Sequence, residues 1–389
     1  MLFAATVYSG DVYARTMVDR YVHRLAPELF RIKNLGSALQ RAAFRQPDLL
    51  PIYGSSELDS SIGPYHAQEF FRTYPSGFQV FPVGTQGTTA LIILQKLAAV
   101  GPDLRGKKLV LCVSPTLFRG DDRVRKNYYA GNFSRLQASE LAFSSELTLA
   151  FKQEAARRML EYPNTLENDA VLRLALSQLA RGSLTSYGIY YAMFPFGKLQ
   201  SWVLHLEDLW ETLTYIEQQP DLDPAVLRRP AQLDWPSILV QAEHEAQLRA
   251  DNNALGFEND YWDKYGREIV RQRNNGSDRK FIESLRDDSD WVDLQLLIRG
   301  IREWGAEPLL VSVPLKGTYY DYWGVSPRAR QAYYQKLRSV VEPLDVTLVT
   351  FEGNDADPYF NVDDRSHPSQ EGWAHYDQAI DNFYHGRLP

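Results

Sequence analysis

A short turn near residue 55 carries the first group that could act as a nucleophile. Gly54, Ser55, Ser56 and Glu57 follow the apolar run 49–53, which predicts a strand that ends in a tight turn. Glycine lets the backbone bend sharply there, so that a serine hydroxyl can stand at the edge of a sheet. Backbone N–H groups of such a turn can also point at the oxyanion that develops in acyl transfer. The turn indicates a serine nucleophile, although Gly-Ser-Ser also occurs in many ordinary turns.

The matching base and acid lie near the other end of the chain. Asp364 and His367 are three residues apart within the segment 363–368. On a turn that enters a helix, this spacing can place a carboxylate beside an imidazole. The carboxylate would fix the tautomer and stabilise the imidazolium, while the other ring nitrogen accepts the proton of a serine. The pattern predicts that Asp364 orients His367 as a base; the alternative is a solvated loop with an ordinary histidine.

Two stretches of alternating strands and helices must bring these motifs together. The stretch from about 48 to 120 contains three apolar strand patterns and a long apolar helix pattern. The stretch from about 289 to 389 alternates helices with strands and ends in a helix after Ser369. We therefore predict a three-layer α/β/α sandwich with a parallel sheet, interrupted by the middle of the chain. Ligands of such sheets bind at the carboxyl ends of the strands, where both motifs lie.

The middle of the chain interrupts this pattern. Residues 125–288 are rich in Ala, Leu, Glu, Arg and Gln and show helical periodicity. We predict that 45–124 and 289–389 form the α/β core and that 125–288 form a mainly helical insertion that shapes the substrate cleft. Residues 1–44 form an N-terminal segment whose apolar start is too short to span a bilayer. It is either a native N-terminus or a segment that follows a removed membrane anchor.

Composition and charge exclude several other functions. Of 389 residues, 44% are hydrophobic, which allows a large core, and the net charge of −7 without a basic run argues against nucleic-acid binding. The single cysteine, Cys112, lies in an apolar strand pattern and permits no internal disulfide. No zinc motif, phosphate loop or dinucleotide fingerprint is present, so we expect neither a metal nor a cofactor.

The order of the motifs resembles that of the SGNH (GDSL) hydrolase superfamily. There a Gly-Asp-Ser block opens the fold and an Asp-x-x-His block closes it, and residues 54–56 and 364–367 occupy these two places. Aligned on the glycine, the nucleophile falls on Ser56. Ser55 then takes the aspartate position of the superfamily and is the second candidate for the nucleophile. The asparagine of the third block of the superfamily has no obvious equivalent.

Within this superfamily the chain resembles the DltD family, the D-alanyl transfer proteins of teichoic-acid modification, over nearly all of its length after about residue 45. The resemblance is carried by an ordered set of short motifs: Gly54-Ser55-Ser56-Glu57, Gly84-Thr85-Gln86-Gly87, Val113-Ser114-Pro115, Asn259-Asp260-Tyr261-Trp262, Pro314-Leu315-Lys316-Gly317, Tyr320-Asp321-Tyr322, Asp364-Arg365-Ser366-His367 and Gly372-Trp373. The resemblance implies D-alanine as the acyl group and teichoic acid as the acceptor. It also implies work at the extracytoplasmic face of the membrane, with a membrane O-acyltransferase and carrier proteins as partners.

The glycine-rich turn 84–87 is predicted to complete the site. We assign the oxyanion hole to the N–H of Ser56 together with groups from this turn; alternatively the turn simply joins a strand to a helix. The residues predicted to support the motif are Ser55, Gly84, Gln86 and Gly87.

An aromatic loop after a late strand is a candidate acceptor groove. Lys316, Tyr320 and Tyr322 belong to it and could line such a groove. Aromatic side chains at this density could equally pack against the insertion.

The predicted reaction is a two-step acyl transfer. His367 removes the proton of Ser56, which attacks a D-alanyl ester or thioester and forms an acyl-enzyme, and a polymer hydroxyl then accepts the acyl group. Two alternatives stay open: an esterase or thioesterase that passes the acyl group to water, and a non-catalytic scaffold of the same fold.

Overall fold

A five-stranded parallel sheet lies at the centre of the fold. The computed structural model describes residues 2–59, 62–119, 122–219, 232–286 and 289–388. The strands are β1 (Leu49–Tyr53), β2 (Gln79–Val83), β3 (Lys108–Val113), β4 (Glu307–Ser312) and β5 (Thr347–Val349). They pair in the order β2-β1-β3-β4-β5, and every pair is parallel.

Helices cover both faces of the sheet and fill the long connection between β3 and β4. In chain order they are α1 (Leu2–Leu25), α2 (Arg31–Leu35), α3 (Ala38–Arg45), α4 (Ala67–Thr73), α5 (Ala90–Val100), α6 (Asp122–Asn132), α7 (Arg135–Ala142), α8 (Leu149–Met159), α9 (Ala170–Arg181), α10 (Leu184–Glu217), α11 (Trp235–Arg249), α12 (Asn259–Arg271), α13 (Asp278–Ser284), α14 (Ser289–Glu303), α15 (Gly317–Trp323), α16 (Pro327–Val341) and α17 (Gln370–Tyr384). Short 3-10 helices join some of these elements, and one of them spans Ser56–Asp59.

Successive side chains of the strands enter two different cores. Leu111 and Leu310 pack in the core shared with α5, α14 and α16. Ile52, Val110 and Val311 pack in the core shared with α4, α11 and α17. Because both faces are buried, the strands are continuous apolar runs rather than alternating ones. The predicted fold class, a three-layer α/β/α sandwich with a parallel sheet, is confirmed.

The strand order changes direction between β1 and β3, and this opens a crevice at their carboxyl ends. The turns after β1 and β2 meet there, because the N–H of Gly54 donates to the carbonyl of Val83 at 3.2 Å. A Cβ atom on Gly84 would lie 2.1 Å from the Gly54 carbonyl oxygen. Only glycine therefore allows the two turns to pack backbone against backbone.

The helices between β3 and β4 are joined to the sandwich rather than standing apart from it. Helix α7 packs on α5, and α10 packs along α1 and α3. The side chains of all five helices contribute to one continuous core. The division into the core 45–124 plus 289–389, the insertion 125–288 and the segment 1–44 stays a prediction.

The central strands should tolerate truncation poorly. Leu310 in β4 is fully buried, whereas Leu248 on α11 is 59% exposed. We expect Leu310→Ala to lower the free energy of unfolding by about 2–5 kcal/mol, because it removes apolar contacts and leaves a cavity. Leu248→Ala should change it by no more than about 0.5 kcal/mol. Urea unfolding of both variants measures the difference, and equal effects would contradict the position of β4 in the core.

Candidate functional site

The fold brings Ser56 and His367 into contact. Ser56 begins the 3-10 turn after β1, and His367 lies in the loop before α17. The Ser56 Oγ is 2.8 Å from the His367 Nε2, across 311 residues of chain. Both residues are half-buried, so the hydroxyl is held in place and still reachable from solvent. The distance is that of a nucleophile and its general base.

The carboxylate beside His367 belongs to Asp363 and not to Asp364. The Asp363 Oδ2 lies 2.6 Å from the His367 Nδ1. The other oxygen, Oδ1, accepts the backbone N–H groups of Arg365 at 2.9 Å and His367 at 3.1 Å. Ser366 adopts the left-handed conformation, with φ of 64°, and this folds the chain back over Asp363. The carboxylate is thereby fixed against the imidazole from the opposite side to the serine.

Asp364 faces a different partner. Its Oδ1 accepts the phenolic O–H of Tyr261 in α12 at 2.5 Å. Burial, together with the bond to Asp364, raises the pKa of Tyr261 well above its usual value. The prediction that Asp364 contacts His367 is therefore wrong, because the turn presents the carboxylate four residues before the histidine rather than three. Both aspartates are visible in the sequence, and only the geometry of the turn shows which of them contacts His367.

The surroundings of His367 favour its protonated form. Burial alone would lower the pKa of the imidazole, but the hydrogen bond and charge of Asp363 and the charge of Glu57 oppose it, and the net pKa is raised. Asp363 is 3% exposed and Glu57 1% exposed. Negative charge so close to the ring stabilises the imidazolium that forms when His367 takes a proton from a nucleophile.

Ser55 connects two turns rather than facing the base. It is 4% exposed, and its Oγ accepts the N–H of Gly87 at 2.9 Å. Its own N–H donates to the Glu57 Oε1 at 2.7 Å. The geometry therefore favours Ser56 over Ser55 as the nucleophile, and Ser55 instead holds the glycine-rich turn in place.

Asn132 at the end of α6 holds the glycine-rich turn, and sequence reasoning missed it. Its Oδ1 accepts the hydroxyl groups of Thr85 at 2.7 Å and Thr88 at 3.1 Å. Its Nδ2 donates to the Gln86 carbonyl at 3.1 Å, 46 residues away in the chain. No local motif marks an asparagine at a polar helix end, so the sequence carried no signal for this contact.

Two of the predicted oxyanion donors are already engaged. The N–H of Gly84 donates to the Asn34 Oδ1 at 2.7 Å, and that of Gly87 is taken by the serine hydroxyl described above. The structure thus contradicts the prediction for these two amides, because the turn uses them to hold its own shape. Within the described segments, the N–H groups of Ser56 and Gln86 have no hydrogen-bond acceptor, and both residues line one cavity that His367 also lines.

That cavity has a volume of about 390 Å³ and is mostly apolar. Leu117, Phe118, Val124 and Tyr128 form much of its wall, and Arg365 brings an exposed cation to it. Its size is at the lower end of the range of small-molecule sites, which are commonly about 300–1,000 Å³. Over the described residues, His, Cys, Asp and Glu side chains form no group of three that could hold a metal ion.

Lys316, Tyr320 and Tyr322 do not line this cavity. Lys316 and Tyr320 are 1% and 2% exposed, and the Tyr322 hydroxyl donates to a carbonyl of α12 at 3.0 Å. The prediction of an acceptor groove is wrong for them, because the aromatic loop packs against α12 and α13.

Lys316 instead supports the loop that carries the histidine. Its ammonium donates to the carbonyls of Gly256, Pro358 and Asn361 at 2.8, 2.6 and 2.7 Å. Burial lowers its pKa to about 7. The ammonium thus ties the segment before Asp363 to the loop that precedes α12.

The fold and the site together define a class. A serine in the turn after the first strand meets an aspartate–histidine pair in the loop before the last helix, on a three-layer α/β/α sandwich. This is the arrangement of the SGNH hydrolase-like superfamily.

The chain belongs to the DltD family. The model of this family, described as "DltD protein", matches residues 26–385. It is 28% identical over 362 residues to "Protein DltD" of Bacillus subtilis (strain 168), which covers 92% of this chain and 87% of the relative. It is 24% identical over 380 residues to "Protein DltD" of Staphylococcus aureus (strain NCTC 8325 / PS 47), with 98% and 91% covered. The family predicted from the ordered motifs is confirmed.

The two neighbouring aspartates should differ in their effect on His367. Asp363→Asn removes the charge behind the ring, so we expect a lower pKa of the imidazole in this variant. Asp364→Asn is the matched control and should leave the pKa closer to that of the native protein. NMR titration of the imidazole signals measures both, and a larger shift for Asp364→Asn would contradict the assignment.

Proposed function

We propose that this protein is a serine acyltransferase that acts in the D-alanylation of teichoic acids. The observation that carries the proposal is the 2.8 Å contact between the Ser56 Oγ and the His367 Nε2, with Asp363 at 2.6 Å on the far side of the ring. Membership of the DltD family supports a role in the D-alanylation of teichoic acid, and from it we propose the two substrates. The acyl group is D-alanyl, and the acceptor is a hydroxyl of a cell-envelope polymer such as teichoic acid.

In the first step Ser56 takes the acyl group from its donor. His367 accepts the Oγ proton while the Oγ attacks the carbonyl carbon of a D-alanyl ester or thioester. When the tetrahedral intermediate collapses, the bond to the donor oxygen or sulfur breaks and His367 returns the proton to that leaving group. Asp363 keeps the Nδ1–H oriented and stabilises the imidazolium throughout.

In the second step the polymer hydroxyl replaces the donor. His367 takes the proton of this hydroxyl, whose oxygen attacks the acyl-Ser56 ester. The new ester forms on the polymer, the bond to Ser56 breaks, and the proton returns to the Oγ. His367 thus acts as the general base in both steps of the transfer.

The oxyanion of both tetrahedral intermediates needs donors that are not already used. We assign this role to the N–H groups of Ser56 and Gln86, for which the described residues provide no acceptor. One such donor is commonly worth about 3–4 kcal/mol of transition-state stabilisation.

We further propose that the reaction takes place at the extracytoplasmic face of the membrane. The partners expected from the family are a membrane O-acyltransferase and the carrier proteins of the D-alanylation pathway. The donor reaches Ser56 from one of them as an activated ester or thioester.

Replacing the nucleophile tests the proposal directly. Ser56→Ala should lower the transfer rate by about 10⁴-fold or more, because no acyl-enzyme can form. Ser55→Ala is the matched control: it should still form the acyl-enzyme, at a reduced rate, since Ser55 only positions Gly87. Intact mass after incubation with a D-alanyl thioester, and labelling by a fluorophosphonate, measure the intermediate. Full activity of Ser56→Ala with an inactive Ser55→Ala would move the nucleophile by one residue, and labelling of neither serine would leave a scaffold.

Arg365 is the feature that favours a phosphate-bearing acceptor over water. Its backbone is fixed, because its N–H donates to Asp363 at 2.9 Å and its carbonyl accepts the Ser114 hydroxyl at 3.4 Å. The guanidinium is therefore presented from a rigid base beside the cavity. A guanidinium binds phosphate oxygens in a forked geometry that suits the phosphodiester of a glycerol-phosphate polymer.

The charge of Arg365 should matter only for a charged acceptor. We expect Arg365→Gln to raise KM for a glycerol-phosphate polymer by about 10–100-fold with little change in kcat, since one charge-assisted contact is lost. KM for free glycerol should not change, and Arg279→Gln, in an exposed part of α13, should have no effect on either acceptor. Steady-state transfer assays measure this, with release of D-alanine to water recorded in parallel. Equal losses for the polymer and for glycerol would contradict a role in phosphate binding.

A further inference from the structure

The ring of Tyr128, on α6, packs directly on the glycine-rich turn. A Cβ atom on Gly87 would lie 2.3 Å from the Cδ1 atom and 2.4 Å from the Cγ atom of Tyr128, so the ring touches the Gly87 backbone. Consecutive Cα atoms are about 3.8 Å apart, so the ring also lies next to Gln86, whose N–H is assigned to the oxyanion hole. Tyr128 is half-buried and lines the cavity together with Ser56 and His367.

The backbone that carries this ring is fixed in two ways. The Nδ2 group of Asn132 donates to the Tyr128 carbonyl at 3.0 Å and to the Gln86 carbonyl at 3.1 Å, so one amide group holds both α6 and the turn. The next residue of α6, Tyr129, is fully buried, and its ring stacks on that of Tyr162 with centroids 3.8 Å apart. Helix α6 is therefore held at a fixed distance from the oxyanion hole.

The chain of the acyl group has one direction left once the other groups of the reaction are placed. At the tetrahedral stage the reacting carbon is bonded to the Ser56 Oγ, to the oxyanion, to the group that leaves or attacks, and to the acyl chain. The oxyanion faces the N–H groups of Ser56 and Gln86, and the leaving or attacking group faces His367, with which it exchanges a proton. The acyl chain extends away from both, toward the wall that Tyr128 forms. In an aminoacyl group, the first carbon of that chain carries an ammonium.

The charges around the cavity favour a cationic acyl group. Among the described residues, the acids and arginines that line it are Glu57, Asp290, Arg125 and Arg365. Asp290 lies 3.2 Å from Arg125, so these two charges offset each other. Arg365 is exposed at the rim, whereas Glu57 directly follows the nucleophile and Asp363 is buried behind the imidazole. Negative charge is therefore in excess next to the reacting carbon, and it stabilises a nearby ammonium.

We propose that Tyr128 determines specificity for an aminoacyl group over an uncharged acyl group, by placing its ring against the ammonium. This role rests on the acyl transfer through Ser56 proposed above. The face of an aromatic ring attracts a cation within about 6 Å of its centre, and the attraction is stronger where water is excluded. The second aromatic ring of the wall, that of Phe118, is 3% exposed and stacks on Trp291 at 3.8 Å, so it offers less surface to a ligand.

Donor selectivity of the full chain tests this role. The probes are the D-alanyl and propionyl thioesters of N-acetylcysteamine, which differ in the ammonium, and intact mass gives the rate at which each acylates Ser56. We expect the native protein to prefer the D-alanyl thioester. Tyr128→Leu and Tyr128→Met should reduce this preference about tenfold, because they keep an apolar contact without a ring face. Tyr128→Phe should retain the preference within about twofold, since the ring remains.

The control Tyr13→Leu replaces a tyrosine of α1 that is 58% exposed, and it should leave both rates unchanged. Because the ammonium also makes a thioester more reactive in itself, the preference is compared between variants. A fluorophosphonate carries no ammonium, so it should label all variants at the native rate. Equal labelling establishes that the nucleophile and the fold are intact, and the lost preference then reports on the ring.

Three results would overturn the role of the ring while leaving the acyl transfer in place. The ring-less variants could lose the same factor for both thioesters, or Tyr128→Phe could lose as much preference as Tyr128→Leu. Alternatively, the native protein could accept both thioesters equally well. A native protein that reacts with neither thioester nor the fluorophosphonate would instead contradict the proposed acyl transfer, and the role of Tyr128 with it.

Discussion

The hydrogen bond between Ser56 and His367 requires two segments that are distant in sequence to be held accurately next to each other in space. A contact of 2.8 Å is lost after a displacement of about 1 Å, and neither residue lies in a strand or an α-helix that would hold it. Each loop is instead fixed by buried polar groups. Asp363 holds its own loop through two backbone amides and the imidazole, while Ser55 and Asn132 hold the turns on the other side.

These buried polar groups are costly unless their hydrogen bonds are complete, and here they largely are. The Lys316 ammonium is the clearest case, because it is buried and each of its protons meets a backbone carbonyl. Asn132 uses both its oxygen and its nitrogen in the same way. Such arrangements have one good geometry, so they specify the shape of the site rather than merely adding stability. The helical segment between β3 and β4 takes part in this through α6, and the site is therefore shared between the sheet and that segment.

Much of the fold and the two principal site residues could be predicted from the sequence. Apolar runs such as that of β3 identify buried strands, and serine and histidine are chemically distinctive enough to be found from type and order. The choice between Asp363 and Asp364 could not be made in that way, since it depends on the left-handed backbone of Ser366. Lys316 was expected at a surface because lysine is rarely buried, and only its three carbonyl partners explain the exception. An apolar helix pattern, as in α10, likewise does not reveal what covers it.

The link between the Ser55 hydroxyl and the Gly87 amide has a consequence for how sequences of such proteins are compared. This hydrogen bond requires only a short side chain with an oxygen acceptor at position 55, and an aspartate could accept the Gly87 N–H equally well. We therefore expect position 55 to accept several short polar residues. If Ser56 is the nucleophile, as proposed, position 56 should accept only serine. Alignments of the family should accordingly show several short polar residues at position 55 and serine alone at position 56.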